Sequence, residues 1–505
     1  MENKNWKDEA NYMCLMIYNL KPYPAYKDSD VPWLGDVPEH WEVRRLKRIA
    51  RLNPSKSEVP LALRDGRAVF LPMERVGSDG RFDASEVWPI SDLWNGFTYF
   101  RRGDVIVAKI TPCFENGKGA CLENLPTALG FGSTEFHVIR PSEVIVSAYL
   151  YRVTTLSEFR RLGADEMTGA AGQKRVPVEF IANFPIPIPP LPEQTAIVRF
   201  LDWRERRIRR YIRAKQKLIK LLEEYKQALI HQAVTGQINV RTGQPYPAYK
   251  DSGVPWLGDV PEHWEVRKLR ALFTKAGSGT TPSGEEFYGG DIPWVVTGDL
   301  NDSVLSNTTR TVNARALENF SALRLYPKDS LIIAMYGATI GKTAILGVEA
   351  CTNQACCVLA EPRKGALVRF IQSAVISAKG YLVRQGYGGG QPNINSEIVH
   401  SLRIPVPPFE EQTAIVEYLD AQTAKIDAAV AANRRQIELL QEYRTRLIAD
   451  VVTGKVDVRE VAPRLPEEPP EVEEAIMEDE GTNEDGEATD DEAAAETLSE
   501  EEAEP

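Results

Sequence analysis

The sequence predicts an α+β protein: two mixed, strand-rich domains separated by two long helices that pack on each other as a coiled coil, with pseudo-two-fold symmetry. Three observations lead there. Residues 189–241 recur as residues 407–459 at a constant offset of 218, without a gap. Both copies carry apolar or long side chains at steps of three, four or seven residues, which become threes and fours when the expected seam positions are filled in. The stretch Tyr23–Arg44, YPAYKDSDVPWLGDVPEHWEVR, recurs almost letter for letter as Tyr246–Arg267, at an offset of 223. The repeated unit is therefore a lead-in rich in Pro and Trp, a variable segment and a long helix.

Residues 1–20 form an N-terminal extension, too polar for a secretory signal. The first domain covers 21–188 and the second 242–406. In their lead-ins, Trp33, Trp41, Trp256 and Trp264 are expected to anchor loops to a core, since an indole combines a large apolar ring with one donor. The variable segments, 45–188 and 268–406, resemble each other little. Both place short β-branched or aromatic runs (VIVAKI, FHVIR, LIIAMY, ACCVLA) between Gly, Pro and Asn turns, a strand pattern. Two helical stretches are expected near 143–162 and 365–384. Each segment closes on a Gly-Gln loop (Gly172-Gln173; Gly390-Gln391) and an apolar-proline strand, IPIPPL or IPVPPF.

The long helices occupy 189–241 and 407–460. The stripe of the first is Ile197, Leu201, Ile208, Ile212, Ile219, Leu222, Tyr225 and Leu229; each position has its partner 218 residues on, from Ile415 to Leu447. Such spacing makes a coiled-coil seam. A proline and acidic residues (Glu193; Glu410, Glu411) open the helices, where the helix dipole favours negative charge. Gly236 and Gly454 follow the last periodic residues and suit a left-handed cap. From Glu193 to Val234 the rise is roughly 60 Å at about 1.5 Å per residue. A stripe on a lone helix of that length has nothing to bury against, whereas two copies can bury it against each other. Both copies interrupt the seam at one place, Lys215 and Asn433, where a polar residue fixes register at some cost in stability.

A length of 505 residues with 43% hydrophobic content suggests about three or four domains. No run of eighteen apolar residues exists, so no membrane span is expected. Six cysteines without a CxxC pair and five histidines without metal spacing argue against disulfides and structural zinc, and a reducing cytoplasm fits. The net charge of -12 is uneven. Residues 461–505 hold 19 acidic residues and one arginine, which is -18; the rest holds 59 basic against 53 acidic residues, which is +6. The tail, 461–505, is expected to be disordered, because like charge and few apolar residues preclude a core. The mildly basic body is compatible with nucleic acid.

Catalytic patterns are absent: no GxSxG, no HExxH, no HxE with a following PCxxC. No Gly-rich strand-loop-helix suggests a bound adenosyl cofactor. Asn53-Pro54-Ser55 is a poor match to the Asn-Pro-Pro-aromatic tetrapeptide of amino-methyltransferases. Gly337–Thr343, GATIGKT, approaches a phosphate-binding loop, which needs four residues between its glycines; here there are three, and Tyr336 stands where the first glycine belongs. It reads better as a glycine-rich turn after a strand, with Thr339 and Lys342 pointing outward. Its counterpart is Ala108–Lys118, AKITPCFENGK, again after an apolar strand. Lys109, Thr111, Asn116 and Lys118 of one loop and Tyr336, Thr339 and Lys342 of the other are candidate DNA contacts, with Gln173, Lys174 and Gln391 from the Gly-Gln loops. Short polar side chains and lysines on a rigid loop suit hydrogen bonding to base edges and phosphates. A solvated hairpin loop has the same composition.

This order of parts, with PPLPEQTAIVRFLD and PPFEEQTAIVEYLD, the helix ends AVTGQI and VVTGKV, AKITPCFENGKGA, GTTPSGEEFYGGDIPWVVTGDL and MYGATIGKTAI, resembles the DNA-specificity subunit of type I restriction-modification systems over residues 23–460. The extension and the acidic tail depart from that pattern. The resemblance implies that each variable segment is a target-recognition domain reading one half of a split sequence in double-stranded DNA. It implies that the two long helices pack as an antiparallel coiled coil, that two modification subunits dock on them with S-adenosylmethionine, and that two restriction subunits bring ATP, Mg and cleavage. This chain would then bind no cofactor and catalyse nothing. Two different domains suit two different half-sites about one helical turn apart, with helix length as the ruler. The competing class is a coiled-coil scaffold for proteins, which salt-dependent DNA retention distinguishes; a self-contained enzyme would need motifs that are missing.

Overall fold

The computed structural model of the chain describes residues 20–169, 173–387 and 393–466. The N-terminal extension up to residue 19, Gly172, Gly390, Gln391 and the acidic tail from residue 467 lie outside them. The fold is α+β, in two compact units: Met1–Glu205 with Leu447–Pro505, and Arg206–Arg446.

In the first unit a four-stranded sheet runs 87–89, 67–71, 129–132, 98–101, and a second runs 50–52, 136–141, 105–108, 119–121. The runs VIVAKI and FHVIR are the neighbours at the middle of the second sheet, with Phe136 opposite Ala108. Helices Ser147–Thr154 and Ser157–Asp165 cover it. In the second unit a five-stranded sheet runs 273–277, 356–362, 331–334, 343–346, 303–305, and a three-stranded one runs 310–312, 288–295, 351–352. Cys356 lies opposite Ala334, and Val368–Ser377 is the covering helix. The apolar-proline strands Pro185–Ile188 and Arg403–Val406 pair with Glu42–Arg45 and Glu265–Lys268 of the lead-ins.

The long helices are Leu191–Val234 and Phe409–Val452. Within the second unit they pair antiparallel: Lys226 meets Asp427 at 2.7 Å and Glu223 meets Arg434 at 3.0 Å, so one chain descends as the other climbs. Ile219 and Leu222 pack with Leu229, Ile415, Leu419, Ile426 and Val430 in one core with the adjoining domain. Tyr225, expected in the seam, is instead 59% exposed. From Leu222 the stripe reaches Leu229 by a step of four and then three, so Lys226 takes the facing position and lays its amine on Asp427. Asn433 is buried and donates its amide to Ala429 O of its own helix at 2.8 Å, and Lys215 is half-buried.

The PLPEQ or PFEEQ start of each helix is a clamp. Glu193 accepts from Tyr23 OH at 2.5 Å and Trp41 Nε1 at 3.0 Å, and touches His40 Nε2 at 2.9 Å. Glu411 does the same with Tyr246 OH, Trp264 Nε1 and His263 Nε2, at 3.0, 3.0 and 2.8 Å. Burial pushes the Glu411 carboxyl upward, but the three donors outweigh it and hold it below the usual range. The next residue grips the adjoining strand-rich domain: Gln194 bonds Val146 N and Val144 O, and Gln412 bonds Leu367 N and Gly365 O.

The helix ends are equally alike. Gly236 and Gly454 have φ of 76° and 79°. A Cβ on Gly236 would lie 2.4 Å from Pro261 Cδ, and one on Gly454 2.4 Å from Pro38 Cδ. In the first unit the chain continues past Gly454 and stays packed: Arg459 lies over the Tyr23 ring, and Ala462 and Leu465 are buried. Arg199 donates to Leu465 O at 2.9 Å. The packed chain therefore continues past Glu460, with Leu465 as an apolar anchor.

Candidate nucleic-acid interface

In each unit the candidate loop joins two neighbouring strands of one sheet: Val105–Ala108 to Gly119–Cys121, and Leu331–Ala334 to Thr343–Leu346. The main chain around the two loops is the same. Lys109 N donates to Glu135 O at 2.8 Å, and Val176 N to Lys109 O at 2.8 Å. Met335 N donates to Ala355 O at 2.9 Å, and Ile394 N to Met335 O at 2.9 Å. Arg175 bridges Ile110 and Thr168, as Asn393 bridges Tyr336 and Tyr387.

These bonds bring the first unit's candidates together. Thr111 N donates to Lys174 O at 3.0 Å, which sets the exposed Gln173-Lys174 pair against the loop of Lys109 and Thr111. Asn116 is exposed at the loop tip. Thr111 Oγ1 spends its proton on Glu115 Oε1 at 3.2 Å, and Lys118 Nζ is tied to Met73 O at 3.2 Å. In the second unit Tyr336 is exposed, while Thr339 Oγ1 donates to Tyr336 O at 2.7 Å and closes the turn Gly337–Thr339. Lys342 is half-buried. Gln391 lies outside the described residues, two places before Asn393, whose Oδ1 accepts from Gly337 N at 3.2 Å. The GATIGKT run is thus a hairpin turn: Thr343 opens a strand, where a phosphate loop hands over to a helix.

Two residues that hold these loops escaped the sequence reading. Arg175 forks onto Glu135 through Nε and Nη2, at 3.0 and 2.8 Å. That bond keeps the Glu135 carboxyl below the usual range, against the effect of burial. Tyr387 stands 57% exposed beside Asn393. The available signal was position alone, within a few residues of each Gly-Gln loop. Beneath the first loop His137 Nε2 lies 2.9 Å from Val176 O, so it must donate, and Nδ1 faces Asn53 Nδ2 at 3.4 Å. Burial lowers the His137 pKa and keeps the ring neutral. Asn53 accepts from Val138 N at 2.9 Å, which gives the Asn53-Pro54-Ser55 stretch a packing role.

Two segments, 38–221 and 261–439, match the sequence profile described as the type I restriction modification DNA specificity domain. The chain belongs to the type I restriction-modification DNA specificity family. It carries that domain twice, and the two matches embrace both candidate loops. Among relatives, the type I restriction enzyme EcoAI specificity subunit of Escherichia coli is 40% identical over 186 residues, 36% of this chain and 30% of that protein. The chain thus spans under a third of the length of that relative. The EcoKI specificity subunit of Escherichia coli K12 is 22% identical over 456 residues, 83% of this chain and 94% of that protein. A chain from a structural study of complex assembly and conformational transition in the type I R-M system matches this specificity-family fold with a TM-score of 0.66 at 21% identity, covering 82% of this chain and 98% of that one. No helix among the described residues is long and apolar enough to cross a membrane.

Proposed function

We propose that the chain is the DNA sequence-specificity subunit of a type I restriction-modification complex, each recognition domain reading one half of a bipartite target. One observation carries this: a single main-chain frame occurs twice, with different exposed side chains at its loop tips. A constant frame with variable tips is what two different half-sites require. Lys109, Thr111, Asn116, Lys118, Gln173 and Lys174 serve the first half-site. Tyr336, Thr339, Lys342 and Gln391 serve the second. The coiled coil sets the spacer, and Lys215 and Asn433 fix its register.

The relatives named as type I restriction enzyme specificity subunits support assembly with other subunits of such an enzyme; we infer that these are two modification subunits holding S-adenosylmethionine and two restriction subunits using ATP and Mg, in the cytoplasm. Leu218, Leu221, Tyr225 and Leu439 lie exposed on the helices and offer the modification subunits an apolar face. This chain supplies recognition and no catalysis. Methylome sequencing of cells carrying the intact system tests the reading. It predicts one split motif with two unlike halves, lost when this chain is deleted. Retention on DNA that does not fall steeply with salt, and no such motif, would instead mark a protein scaffold.

A further inference from the structure

The candidate loops are not the only elements at their end of the sheet. In the second unit the chain leaves the strand Cys351–Thr352 of one sheet and enters Cys356–Pro362 of the other through Asn353, Gln354 and Ala355. This crossover adjoins the candidate loop, since Met335 N bonds Ala355 O. It is fixed on all sides. Asn353 N donates to Val295 O at 3.0 Å, and Asn353 O accepts from Gly279 N and Cys356 N at 3.3 and 3.4 Å. Gly279 is pressed so closely on it that a Cβ there would lie 1.5 Å from Thr352 O.

On this rigid crossover only Gln354 points out. It is exposed, between the buried Asn353 and Ala355. Its amide is nevertheless oriented, because Thr281 Oγ1 donates to Gln354 Oε1 at 2.7 Å. Thr281 is in turn held by its run of chain, where Trp294 Nε1 donates to Thr280 O at 3.2 Å. Oε1 keeps its second lone pair, and both Nε2 protons remain. An exposed amide already fixed in one rotamer loses little entropy on binding. The first unit repeats the crossover: Ser133 N donates to Leu71 O at 3.1 Å, Phe136 N to Ser133 O at 3.3 Å, and Thr134 takes the exposed middle place.

We propose that Gln354 reads an adenine in the second half-site, accepting from its N6 amino group through Oε1 and donating from Nε2 to N7. This is the pairing that a glutamine makes with adenine in the major groove. The inference rests on the DNA-specificity reading above. The crossover is a place in the fold where each domain shows one side chain, so the residue there is a lever on specificity: glutamine in the second domain, threonine in the first.

The test uses the full chain expressed with its partner subunits, and methylome sequencing as the readout. Gln354→Ala should lose about 5- to 150-fold of the preference for adenine at one position of the second half-site, with every other position unchanged. Thr281→Val should weaken the same position less. Gln354→Glu should move that preference toward cytosine, whose N4 amino group a carboxylate accepts. Because Gln354 is exposed, thermal unfolding should not change; if the alanine variant fails to fold, the near-isosteric glutamate variant decides. An unchanged motif in both Gln354 variants overturns the inference, as does a uniform loss at all positions, which would mark a phosphate contact. A wild-type complex that methylates no split motif would instead strike down the specificity reading itself.

Discussion

Asn116→Ala isolates recognition from folding better than any other substitution in the candidate interface. Asn116 is exposed, and among the described residues its amide makes no hydrogen bond. Its backbone N donates to Pro112 O at 3.0 Å, a bond that alanine keeps. Stability should therefore change by less than about 0.5 kcal/mol. Losing a base contact costs roughly 1–3 kcal/mol, or about 5- to 150-fold in affinity. The whole of that loss should fall on the first half-site. Thr339→Ala is the matched perturbation of the second, but its hydroxyl also closes the turn onto Tyr336 O. Removing it adds about 0.5–1.5 kcal/mol of local destabilisation, so Thr339→Ser, which keeps the hydroxyl, is its control. The assay is the binding of the assembled complex to DNA duplexes altered in one half-site at a time. If either variant weakens both half-sites equally, or if Asn116→Ala changes neither, the assignment of one loop to each half is refuted.

Gly236→Ala and Gly454→Ala should each cost roughly 2–5 kcal/mol, from a left-handed backbone and the clash with Pro261 or Pro38; urea unfolding measures it, and a loss under about 1 kcal/mol would disprove the close approach. The folded-state pKa of His137 lies below its unfolded value of 6.5. Its contribution is therefore complete above pH 6.5 and is lost as pH falls from there through the lower folded-state pKa, because the unfolded chain takes up the proton first; thermal melts from pH 8 to 5.5 should fall less steeply in His137→Gln. Ending the chain after Pro466 should leave the recognised sequence intact and raise DNA affinity at low salt, since 19 acidic residues go. Ending it after Glu460 should in addition cost about 1.5–3 kcal/mol for the buried Leu465, visible as a lower melting temperature. Four residues inserted after Lys217 add roughly 6 Å and nearly restore the facing stripe, so the DNA spacer should lengthen by one or two base pairs at about 3.4 Å each. Two inserted residues turn the stripe by roughly 200° and should abolish the complex, and an unchanged spacer in a folded four-residue insertion would remove the ruler.

What could be read in the sequence follows from what leaves a period behind. A helix that buries one stripe repeats its apolar residues at 3.6, so Ile197 to Leu229 and its copy were legible, as were the capping glycines. Tyr225 was misplaced because steps of three-four and four-three fit the same letters, and only the Lys226–Asp427 contact separates them. The packing of the chain just past Glu460 was missed because one leucine, Leu465, makes no pattern. Glu193 and Glu411 were seen as helix openings, not as the carboxylates that bind a Tyr, a Trp and a His each, since no local rule links residues 147 to 170 apart.

The recognition end was the least legible part, and its physics explains why. The bonds that shape it are main-chain bonds: Lys109 to Glu135 and Val176 in one unit, Met335 to Ala355 and Ile394 in the other. Backbone amides and carbonyls are the same for every residue, so the frame persists while the letters diverge. Strand patterns survive in both segments because the sheet must still bury Val105–Ala108 and Leu331–Ala334. The exposed positions between those strands carry no packing constraint. They are free to differ between the two domains, as the proposed reading of two unlike half-sites requires, and a residue free to differ is invisible to periodicity.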